Sequence, residues 1–70
     1  MNTESLLNTS VDDAKISMQA IVSHDPLEAL QISTSVIKNL HSTPGRVALK
    51  RVMFLMARQA LKKLEGELQK

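Results

Sequence analysis

The sequence predicts an all-α fold of three helices: a helical hairpin covered by an N-terminal helix, paired with a second copy as a homodimeric bundle. Three observations lead there. The hydrophobic residues are aliphatic or methionine, with Phe54 the one aromatic side chain in a chain that is 43% hydrophobic, a palette that suits helix packing better than sheets. Two glycines and two prolines leave few turns for a many-stranded fold. Apolar residues also recur at helical spacing in three runs, and stop-and-start signals separate them.

Residues 1–9 read as a flexible N-terminal arm, polar apart from Leu6 and Leu7, and residues 10–70 as one helical domain. Ser10-Val11-Asp12-Asp13 places an acid three residues after a serine, which resembles a capping box with a short acid. A first helix over about 11–23 follows, with Leu7, Val11, Ala14, Met18, Ile21 and Val22 on one stripe and Asp12, Lys15 and Gln19 outside it. At that length a helix is marginal alone and needs tertiary support.

His24-Asp25-Pro26-Leu27-Glu28 is the clearest boundary. Asp25 can accept orphan amide protons, Pro26 supplies a helical φ, and Glu28 can reach back from the third position. The second helix runs over about 26–40, with Leu27, Ala29, Leu30, Ser33, Val36, Ile37 and Leu40 on one side. Ser33-Thr34-Ser35 has poor intrinsic preference for helix, so packing must hold that turn.

Thr43-Pro44 repeats the logic of Asp25-Pro26 and predicts a third helix over about 44–66; Gly66 can end it, although Glu67-Leu68-Gln69-Lys70 continues the pattern. Leu49, Met53, Met56, Ala57, Ala60, Leu61, Leu64 and Leu68 share a broad face, flanked by Val47 and Phe54 on one side and Val52 on the other. That arc is about 200° wide, twice what a simple surface helix needs. Val52-Met53-Phe54-Leu55-Met56 puts five apolar residues in succession, and Leu55 falls outside even the broad arc, among Arg51, Arg58 and Lys62.

Size turns this excess into a functional expectation. A chain of 70 residues stands near the margin between burial gained and chain entropy lost. The usual staples are missing, with no cysteine and only two histidines. Oligomerisation remains. Three uses of the third helix compete: the centre of its own three-helix core, a dimer seam, and a site for a different protein. The expected interface is Leu49, Val52, Met53, Phe54, Leu55, Met56, Ala60, Leu61 and Leu64.

The net charge of +2 is unevenly spread. Lys15 stands against Glu4, Asp12, Asp13, Asp25 and Glu28 in residues 1–35, a net −4, whereas residues 36–70 carry a net +6. Arg51, Arg58 and Lys62 lie on one line of the third helix. They form either a solvated face that keeps an apolar helix soluble or a contact for an acidic partner. A helix-turn-helix reading would present Arg46, Lys50 and Arg51 to DNA, but the helix is too apolar through Val52–Met56 to lie exposed in a groove and lacks base-reading side chains. A basic amphipathic helix on a membrane surface is disfavoured because the preceding helices would lose their core.

No catalytic, cofactor or metal motif is present. His24 and His41 bracket the second helix, about 25 Å apart at 1.5 Å per residue, too far for one chain to bring both to one metal. There is no signal-peptide pattern and no apolar run of about 18 residues, so a cytoplasmic protein without a membrane span is expected. The function that follows is a small non-enzymatic interaction module, a regulator, chaperone or adaptor, acting on itself and on a protein partner. The alternative is a dimeric DNA-binding regulator that contacts phosphates through the basic stripe. An adaptor tolerates Arg51→Ala far better than Leu55→Asp; a nucleic-acid binder shows the reverse.

Overall fold

The computed structural model describes residues 9–69. These residues form three helices packed against one another, α1 (Val11–His24), α2 (Pro26–Leu40) and α3 (Val47–Leu68), with no strand among them. The pairing of α2 with α3 is the most extensive, and α1 packs on both. Leu7 and the arm ahead of Thr9 lie outside the described residues.

The start of α1 follows its sequence signal. Ser10 is extended (φ −69°, ψ 156°), and its hydroxyl oxygen accepts from the Asp13 amide at 3.2 Å. Ala14, Met18 and Val22 are the buried residues of this helix, four apart and therefore stacked on one face. Asp25 serves two helices at once. Its amide donates to the Ile21 carbonyl at 2.7 Å and closes α1, while its carboxylate accepts from the Glu28 amide at 3.1 Å and opens α2. Because that amide is committed to Ile21, Glu28 does not complete a reciprocal box.

In α2 the core face is Pro26, Ala29, Ile32, Ser33, Val36 and Leu40. This differs from the expected stripe: Pro26 and Ile32 join it, Leu27 leaves it, and Leu30 and Ile37 lie half-buried at its margin. Leu27 is 53% exposed and Ile32 is 9% exposed. Pro26 itself turns inward, and the positions that follow it at three- and four-residue steps inherit the core, leaving Leu27 one step off the face. Ser33 is fully buried, and its hydroxyl donates to the Ala29 carbonyl at 2.7 Å and lies 3.2 Å from that of Leu30. Thr34 donates likewise to the Leu30 carbonyl. The polar turn therefore satisfies its hydroxyls on its own helix, and burial of its neighbours holds it.

The start of α3 corrects the sequence reading. Thr43-Pro44 is not the cap. The Thr43 amide donates to the Leu40 carbonyl at 3.1 Å, extending the end of α2, and the chain then reverses through Gly45 (φ 84°) and Arg46 (φ 56°), both left-handed. Arg46 takes the N-cap position without a side-chain cap. Its guanidinium donates to the Thr9 carbonyl at 3.2 Å, and the Lys50 ammonium donates to the Thr43 carbonyl at 3.0 Å, so cations on and beside the first turn tie down the reversal. Of the two ends that the sequence allows for α3, the later one holds: the helix passes through Gly66 and runs on to Leu68.

Leu49, Met53, Met56 and Ala60 are the buried residues of α3, each at 0% exposure. Their 4-3-4 spacing lies against α1 and α2. The helix is longer than its companions: 22 residues against 14 and 15, about 33 Å against about 21–23 Å at 1.5 Å per residue. Lys63 donates to the Ser23 carbonyl beside the α1–α2 junction, and no described residue beyond Ala60 is buried. The end of α3 beyond Leu64 thus projects past the bundle.

Candidate interaction surface

The five consecutive apolar residues of α3 divide by helical geometry. Met53 and Met56 enter the core, Val52 is half-buried, and Phe54 and Leu55 stay 60% and 42% exposed. Of the expected interface, Leu49, Met53, Met56 and Ala60 are therefore taken up by the chain's own core. Val52, Phe54, Leu55, Leu61 and Leu64 remain available to another molecule, with Leu61 at 48% exposure and Leu64 half-buried.

These available residues do not form one patch. Phe54, Ala57, Leu61, Leu64 and Leu68 recur at 3-4-3-4 spacing, the seam pattern by which helices pair. At 100° per residue this seam is centred about 90° around the helix from the core seam. Leu68 is 86% exposed and ends the row on the projecting end of α3; Val47, 55% exposed, continues its line at the other end. Leu55 lies across the basic stripe from the seam and does not belong to it. Scattered surface apolar residues are normal, as with Ile16 and Leu27 here; an ordered row is not.

Arg51, Arg58 and Lys62 are exposed beside the seam. None has a hydrogen-bond or ion-pair partner among the described residues. Arg51 and Arg58 border, with Phe54 and Leu55, a shallow depression of about 260 Å³. A second depression of about 390 Å³ is lined by Leu30, Gln31, Thr34, Ser35 and Lys38, all on α2, so it is a hollow on one convex helix surface.

His24 ends α1, and His41 caps the C-terminus of α2; both are exposed. Among the described residues no group of three metal-binding side chains is brought together. No described helix is long and apolar enough to cross a membrane.

Ala57 and Leu68, which the sequence places on the broad face of the third helix, belong to the seam although the expected interface did not include them. The signal was available in the 3-4-3-4 recurrence, which separates one broad arc into two seams only when the residues that face inward are known. The chain matches no protein-family model, no curated protein and no solved structure.

Proposed function

We propose that this chain is a small non-enzymatic interaction module, a cytoplasmic regulator, chaperone or adaptor, that self-associates as a homodimer through the outer seam of α3. The observation that carries the reading is the row of Phe54, Leu61 and Leu68, at 60%, 48% and 86% exposure, in seam register along one helix. Covering such a row removes apolar surface from water at about 25 cal/mol per Å². Arg51, Arg58 and Lys62 lie outside the dry strip, where charges govern encounter and partner choice more than affinity. They suit an acidic partner.

The exposed, unpaired state of those three cations also favours a second reading, a dimeric regulator that contacts nucleic-acid phosphates. The two readings separate by mutation. Leu61→Asp removes self-association in the first and leaves the cations intact for the second. Arg51→Ala with Arg58→Ala removes a phosphate interaction whose affinity falls steeply with salt. Sedimentation of each variant, beside gel-shift titration of a mixed-sequence duplex at two salt concentrations, tests the choice. Salt-sensitive duplex binding by Leu61→Asp that is lost in the double arginine variant would favour the phosphate reading.

A further inference from the structure

The geometry points to an antiparallel arrangement of the two α3 helices, staggered so that Arg51 of each copy meets Glu65 of the other. This inference rests on the dimer reading above and specifies its orientation and register.

The seam fits a second copy of itself in that arrangement. In an antiparallel pair each seam layer joins a residue of one chain to a residue of the other at a constant sum of positions. One stagger sets Phe54 opposite the partner's Leu64 and Ala57 opposite the partner's Leu61, so two central layers that pair small with large are flanked by two that pair phenylalanine with leucine. Lys50, half-buried with its ammonium held at the Thr43 carbonyl, lays its methylene stem beside the partner's Leu68. The projecting end, which carries the most exposed apolar residue of the seam, then lies on the part of the partner's α3 that is backed by its own bundle.

Charge and the number of seam layers together select this stagger over its rivals. The positions flanking the seam on its open side are Arg51, Arg58 and Glu65. In the stagger described, Arg51 and Glu65 of opposite chains meet twice by symmetry, and both are without a partner within their own chain among the described residues. Sliding the pair by one heptad in one direction sets Arg51 against the partner's Arg58 twice; sliding it in the other pairs Arg58 with the partner's Glu65 but leaves Lys50 and Phe54 without a facing residue, so four seam layers remain instead of six. A parallel pair sets Arg46 near the partner's Arg51 twice and forms no opposite-charge pair there. The selected stagger leaves a single like-charge contact, Arg58 against the partner's Arg58 near the two-fold axis. The buried surface is adequate: covering the seam and its flanks removes about 500 Å² per copy and about 1,000 Å² in all, the size at which specific interfaces begin. Each copy exposes 4771 Å², so this is about a tenth of its surface.

The absence of cysteine makes cross-linking a direct test. Arg51→Cys and Glu65→Cys are prepared separately, mixed, allowed to exchange and treated with a short bis-maleimide, after light scattering has established the mass of each. The two sites are about 21 Å apart on one helix, so neither an intrachain link nor a link in a parallel pair is within reach. The expected result is a covalent dimer from the mixture and none from either variant alone. A particle that scatters as a dimer but yields no mixed link overturns the antiparallel register and leaves the dimer reading standing. A particle that scatters as a monomer overturns both.

A second set of variants avoids dependence on the linker. Arg51→Glu weakens dimerisation roughly 10-fold, and Arg51→Glu combined with Glu65→Arg returns it to near the original value. Arg58→Gln tightens the dimer by relieving the contact at the axis. Failure of the exchanged pair to recover, with helicity unchanged by circular dichroism, contradicts the Arg51–Glu65 contact.

Discussion

Met53 and Phe54 are adjacent in sequence and opposite in environment: the thioether of Met53 is wholly enclosed by the chain's own helices, whereas Phe54 is 60% exposed. The division follows from the 100° step between successive helical residues, which turns one apolar run into two surfaces with different owners. Met53→Asp buries an unpaired carboxylate and is expected to unfold the protein, since the cost of several kcal/mol is comparable with the whole stability of a small domain. Phe54→Asp leaves the far-ultraviolet circular dichroism of a dilute sample unchanged and abolishes self-association. Equal loss of helicity in both variants would contradict the division.

Asp25 joins α1 to α2 through two separate groups, its amide to Ile21 and its carboxylate to Glu28. Asp25→Ala removes only the second. The expected cost is about 1 kcal/mol, a fall in Tm of about 4–8 °C for a domain of this size. Asp25→Asn, which keeps an accepting oxygen, recovers most of it. Thermal unfolding of the two variants side by side makes the comparison.

Ser33 is buried, yet its hydroxyl is bonded only to carbonyls of its own helix. Those carbonyls lie within the backbone ladder of α2, so removing the hydroxyl strands no acceptor. Ser33→Ala is expected to change stability by less than about 1 kcal/mol in urea unfolding. Ser33→Leu forces extra volume into a fully enclosed position and costs about 1–3 kcal/mol.

The two glycines predict opposite outcomes. Gly45 has φ 84°, a conformation that L side chains rarely adopt, so Gly45→Ala destabilises by about 1 kcal/mol although nothing lies within 4 Å of the added carbon. Gly66 sits inside α3 with the same open surroundings, and Gly66→Ala stabilises by about 0.5–1 kcal/mol. Urea midpoints moving in the same direction for both would contradict the backbone assignment at Gly45.

These elements also mark how far the sequence could be read. The Ser10 and Asp25 caps act through neighbouring amides, so a few residues determine them and both were legible. Thr43-Pro44 has the same local form as Asp25-Pro26 but a different outcome, because the Thr43 amide bonds back to Leu40 and the reversal at Gly45 and Arg46 delays α3. Ties to distant atoms, Arg46 to Thr9 and Lys63 to Ser23, leave no local signature. The apolar excess of α3 was visible in composition and period. Its partition into an inner seam at Leu49, Met53, Met56 and Ala60 and an outer one from Phe54 to Leu68 depends on where α1 and α2 lie and where they end.

Sedimentation equilibrium of the unmodified chain and of Phe54→Asp, over a dilution series spanning the micromolar range, is the most direct measurement. The unmodified chain is expected to approach twice 7.7 kDa at high concentration and dissociate on dilution, while Phe54→Asp stays at the single-chain mass. A fully helical unmodified chain that holds the single-chain mass at every concentration would contradict self-association through α3.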